Sequence, residues 1–136
     1  MDEDEWLRRH GLHPDPQGLD EVRQLLRQQT EFEREAQGRG DTELMKLCCV
    51  QLFNAAVLDD VPLIWQAKSA GMDADASIDI QLLCGGGLAA TKAHMASDPS
   101  ETGKAALRRL VACEAAGDFD DFSVARQASF YASYYA

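Results

Sequence analysis

Ile78-Asp79-Ile80-Gln81-Leu82-Leu83-Cys84-Gly85-Gly86-Gly87-Leu88-Ala89-Ala90-Thr91-Lys92 admits two readings, and the choice between them decides the fold class. Ile78, Ile80, Leu82 and Cys84 alternate as in a strand. Gly85-x-Gly87-x-x-Ala90 then follows with the spacing of a dinucleotide-binding turn, whose glycines admit a pyrophosphate to a helix N-terminus. That reading requires a second parallel strand after the helix. Ala105 to Val111 instead carries helical spacing, and no other segment alternates as a partner strand would. A Walker-type phosphate loop is excluded as well, because Lys92 lacks the glycine required before it. The stretch therefore reads as a helix from about Ser77, interrupted or kinked at its glycines, and the chain as all-α.

The flanking segments agree. Leu19, Val22, Leu25, Leu26, Phe32 and Ala36 recur at helical spacing, with Arg23, Arg27, Glu31 and Glu35 on the other face, so a helix is expected from about Leu19 to Gln37. Gly38-Arg39-Gly40 ends it. Asp41 or Thr42 caps a second helix reaching about Leu58, apolar nearly all round and therefore placed at the centre of the fold. Asp59 or Asp60 caps a third, with Pro62 in its first turn and Gly71 as a left-handed C-cap. Ser97-Asp98-Pro99-Ser100-Glu101 opens a helix that runs to Gly117, and a last one spans about Phe122 to Tyr135. Residues 1–18 read as an acidic lead-in, with a short turn of helix at Trp6-Leu7-Arg8-Arg9 and Trp6 tucked against the main body. Residues 19–136 read as a single helical domain. The expectation is a compact bundle of about six helices.

One pattern recurs. Ser69-Ala70-Gly71-Met72-Asp73-Ala74-Asp75-Ala76-Ser77 returns as Ala115-Ala116-Gly117-Asp118-Phe119-Asp120-Asp121-Phe122-Ser123, with the glycines 46 residues apart. Such a period suggests two related helical hairpins stacked in a solenoid-like manner. Val61 to Asp73 also resembles the second helix and exit turn of an ankyrin-type repeat. It lacks the Thr-Pro-Leu-His start of that family, and no functional residue carries over.

The formal charge of −10 and a pI near 4.6 disfavour duplex DNA and anionic membranes, since binding either would concentrate like charge. They favour solubility and basic partners. The acidic N-terminus lacks the positive charge of a secretory signal, and no apolar run reaches membrane-spanning length, so a cytoplasmic protein is expected. Cys48, Cys49, Cys84 and Cys113 form no CxxC pair and read as reduced, buried thiols.

Motifs of chemistry are weak. Asp73, Asp75, Ser77 and Asp79 occupy positions 1, 3, 5 and 7 of a calcium loop, but Ile78 and Cys84 stand where its glycine and closing glutamate belong. His10, His13 and Asp15 have metal-ligand character without a fourth ligand nearby. No nucleophile elbow or zincin motif occurs. No catalytic residue, metal or cofactor is therefore assigned.

Six of the ten aromatic residues fall in the last 18 positions. Phe122, Arg126, Phe130 and Tyr134 lie on one helix stripe, and Tyr131 and Tyr135 on the adjoining one. The leading expectation is a non-catalytic acidic interaction module, in one version an inhibitor or immunity-type protein for a basic partner. Tyr131, Tyr134, Tyr135, Asp118, Asp120 and Asp121 are the candidate contact residues. Two alternatives stand beside it. One is a small-ligand binder or enzyme with its site at Cys84, Gly85, Gly86 and Gly87; the other is a structural homo-oligomer, with a homodimer formed through the C-terminal helix.

Overall fold

A helix that is apolar on every side has to sit among its neighbours, and the third helix of the chain does. In the computed structural model, which describes residues 1–136, the chain forms eight α-helices and no strand: α1 (Glu3–His10), α2 (Pro16–Glu35), α3 (Thr42–Ala55), α4 (Val61–Lys68), α5 (Met72–Ser77), α6 (Leu88–Ala96), α7 (Glu101–Ala115) and α8 (Val124–Tyr134). Nine residues of α3 are buried, from Leu44 to Phe53, and α1, α2, α4 and α5 pack around it. α6 and α7 form an outer pair that joins the body through α4.

The one buried amide of α3 explains how the N-terminal segment docks. Gln51 is fully buried; its Oε1 accepts the indole N–H of Trp6 at 3.0 Å, and its Nε2 donates to Gly11 O at 2.7 Å. Asn54, one turn on, donates to Leu12 O at 2.9 Å. An unpaired amide there would be costly, so this exchange fixes α1 against α3. The turn of helix expected at Trp6–Arg9 is thus a full two-turn helix, capped by Asp2 and closed by Gly11 at φ 64°.

Several helix ends differ from expectation, each for a local reason. α2 starts at Pro16 rather than at about Leu19, because Asp15 accepts the Gly18 N–H at 2.7 Å and proline at the first position loses no hydrogen bond. The α2–α3 turn closes on a buried side chain, Glu33, whose Oε1 accepts the N–H groups of Gly38 and Gly40 at 3.0 and 3.1 Å. α3 stops at Ala55 rather than Leu58, with Ala56 left-handed at φ 58°. Asp60 does not cap α4; its carboxylate takes the Arg23 guanidinium through two bonds of 2.8 and 2.9 Å.

The opening stretch is neither a strand nor one kinked helix. α5 ends at Ser77, Ile78 and Asp79 are extended, Ile80–Cys84 form a 3-10 turn, and α6 begins after Gly87. The tight corner comes from Gly85: a Cβ there would lie 2.2 Å from Phe53 O, so only glycine lets this turn rest on the end of α3. Alternating Ile78, Ile80 and Leu82 are all buried because a 3-10 turn entered from an extended residue presents them to the same core.

Candidate functional site

α8 is held by aromatic side chains. Tyr131 is its one fully buried residue; the ring meets Phe53 edge-on at 6.5 Å, and the phenol O–H donates to Asp79 Oδ2. Burial, and then the Asp79 carboxylate, push the Tyr131 phenol well above its ordinary range, so it stays a donor. Tyr135 is half-buried with its hydroxyl enclosed. Burial and the nearby carboxyl of Glu3 push that phenol up too. Of the three C-terminal tyrosines only Tyr134 stands at the surface, 49% exposed, beside Phe130 at 56%. The two rings stack at 6.4 Å with planes 26° apart. Lys46 covers the inner side, its Nζ 4.8 Å from the Tyr134 centroid and 5.8 Å from that of Tyr131.

An open groove of about 530 Å³ runs between this helix and the turn that follows α7. Asp118 and Asp121 line it from the turn, Asp79 from the segment after α5, and Phe122 and Phe130 supply rings. The turn exists because Gly117, at φ 94°, closes α7 with Asp118 N–H bonded to Cys113 O at 3.0 Å and Gly117 N–H to Glu114 O at 3.1 Å. Its backbone carbonyls are already used: Asp118 O accepts from Gln81 Nε2 at 2.8 Å, and Asp121 O from Arg126 Nη1 at 3.2 Å. The carboxylates of Asp118 and Asp121 pair with no cation of the chain, and the nearest ammonium to Asp79 is Lys46 at 4.0 Å. Asp120 is exposed in the same turn but does not line the groove.

No known protein-family model, curated protein or solved structure matches the chain. The site is therefore read from its geometry alone.

The glycine corner, where Gly86 is exposed and Gly87 half-buried, borders no cavity. Cys84 is fully buried, and burial pushes its thiol up to about 12. Gly85 is filled from the other side by α3. The metal-type residues at the N-terminus have other partners: Asp15 caps α2, His10 lies over Trp6 at 4.2 Å, and His13 is exposed. The calcium-type series is broken too, because Asp75 pairs with Lys68 at 3.3 Å and Arg109 at 3.2 Å while Asp79 binds Tyr131.

Asp79, Gln81, Gln127 and Arg126 were not among the candidate contact residues, yet all four line the groove. Arg126 lay on the aromatic stripe, which was a usable signal. For Asp79 and Gln81 none existed, since the contact of Gln81 with the turn spans 37 residues.

Proposed function

We propose that this chain is a protein-interaction domain that takes a basic partner on its C-terminal face. The observation that carries the reading is the unpaired state of Asp118 and Asp121 in a groove bordered by the exposed ring of Phe130. Carboxylates left without an internal cation steer and orient a cationic partner, while a partly exposed aromatic ring supplies the contact area that a charge alone does not. A net charge of −10 extends the attraction beyond contact distance. The same charge opposes a homodimer through this face, because two acidic grooves would meet.

In the inhibitor version of this reading, the face covers the cationic working surface of another protein. Capture on the immobilised chain, at low salt and at about 0.5 M where screening is short-ranged, tests it together with variants. A basic protein retained by the wild type, purified, and then bound tenfold more weakly by Phe130→Ala or Asp118→Asn/Asp121→Asn would support the assignment; roughly tenfold is the loss expected of a central contact. Retention unaffected by these changes would move the contact face elsewhere.

A further inference from the structure

We infer that the groove reads an arginine side chain in preference to lysine, an inference that rests on the basic-partner reading and sharpens it. The groove combines two recognition elements within one volume of about 530 Å³: the unpaired carboxylates of Asp118 and Asp121, and the rings of Phe122 and Phe130. Asp79 also lines it, with the Tyr131 hydroxyl on its Oδ2 and Lys46 Nζ at 4.0 Å. A guanidinium satisfies both at once, with its plane on a ring and its edge N–H groups on carboxylates. An ammonium is a compact, strongly hydrated point charge that has no plane to lay on a ring. The chain already contains each half of this arrangement. Arg23 forks onto Asp60 at 2.8 and 2.9 Å, and Arg39 lies over the Phe32 ring at 5.3 Å.

The groove also carries its own regulator of affinity. Arg126 lines it, bonded through Nη1 to Asp121 O, and is the one cationic side chain on its walls. An incoming cation meets the unpaired carboxylates of Asp118 and Asp121 and this guanidinium, while Asp79 is already shared with Lys46 at 4.0 Å, so the local balance is negative but partly offset. Removing the Arg126 charge increases the attraction without adding a contact. A net charge of −10 on each copy weighs against a second copy of the chain as the occupant.

The test titrates the full chain with hexa-arginine and with hexalysine at low salt, by calorimetry and by NMR of the Gln81 and Gln127 side-chain amides. Hexa-arginine should bind about fivefold or more tightly than hexalysine and shift both amides, reflecting the planar, bidentate geometry of the guanidinium. Asp118→Asn/Asp121→Asn should lose most of that preference, Asp120→Asn should keep it, and Arg126→Gln should bind more tightly than wild type; circular dichroism checks that each variant is folded. Equal affinity for the two peptides, with the Gln81 and Gln127 shifts retained, would overturn the arginine preference and leave the basic-partner reading standing. Shifts confined to another face, or equal losses from Asp120→Asn and from the groove pair, would overturn both.

Discussion

Residues 69–77 and 115–123 carry nearly the same sequence grammar and fold in opposite ways. In the first, Gly71 is extended (φ −178°) and a new helix, α5, begins directly after it. In the second, Gly117 is left-handed (φ 94°) and the chain turns without helix until Val124. The acids diverge as well. Asp75 is drawn in between Lys68 and Arg109, whereas Asp118 and Asp121 remain free beside the groove. What separates the two is the supply of cations: α4 and α7 bring Lys68 and Arg109 to Asp75, while no cation of the chain reaches the carboxylates of Asp118 and Asp121. Likeness of sequence here marks two helix boundaries, and the surrounding charges decide whether an acid becomes structural or available.

Removing the cation should break the inward member of the pair first. Lys68 is buried, 4% exposed, and its ammonium donates to Asp75 O at 2.7 Å and to Ile78 O while pairing with the Asp75 carboxylate. Lys68→Met deletes all three interactions, leaving two carbonyls unsatisfied, and should cost about 3 kcal/mol in urea unfolding. A cost near zero would mean that α5 is held by apolar packing alone. Next in size is the glycine contrast. Gly117→Ala forces a left-handed alanine and should cost about 1–2 kcal/mol. Gly71→Ala should cost less, since its backbone is extended and the new Cβ meets the Glu33 side chain, nearest at Oε2, 3.2 Å away. Equal losses at the two positions would contradict the difference in conformation.

Much of the helical layout was legible because burial imposes a period that any observer can count. α3 declared itself by being apolar all round, and Asp41 and Ser100 stand where cap chemistry places them. Boundaries were read less well where one residue type serves two purposes. Pro16 breaks a helix from within but starts one from its first position; Gly71 can be a left-handed cap or simply a small residue beside Glu33. The candidate site was half legible. Asp118, Asp121 and the aromatic stripe were visible in one continuous segment. The wall built by Asp79 and Gln81 was not, because only the packing of the 3-10 turn against α3 brings it there.

pH titration should sharpen the same contrast between a compensated and an uncompensated acid. Partial burial raises the Asp75 carboxyl, but Lys68 and Arg109 outweigh it and hold the folded value below the ordinary 3.8. Its contribution is therefore complete above 3.8 and is lost as pH falls through the lowered value; Asp75→Asn should remove that part of the acid limb. Glu3 behaves in the opposite sense. Burial, followed by the nearby carboxylate of Glu43, raises it above 4.5. The folded state then holds a proton that the unfolded chain has released, so stability falls as pH rises from 4.5 through the raised value. Glu3→Gln should flatten that slope and stabilise the protein at neutral pH. Urea midpoints across pH 3–7 for the two variants check both signs, and slopes of the same sign would refute the assignment.

The smallest expected effect is the most informative about use. Asp118 and Asp121 are exposed and hold no cation, so Asp118→Asn/Asp121→Asn should change stability by less than about 0.5 kcal/mol. With a net charge of −10 to relieve, the change should if anything be stabilising. The turn itself has no need of these carboxylates, because Gly117 and backbone hydrogen bonds from Asp118, Asp120 and Phe122 shape it. An acid that can be neutralised without loss to the fold is free to serve a partner, whereas Asp75 is not. Should the double variant instead lose as much stability as Lys68→Met, Asp118 and Asp121 would belong to the framework, and the two halves of the comparison would collapse into one.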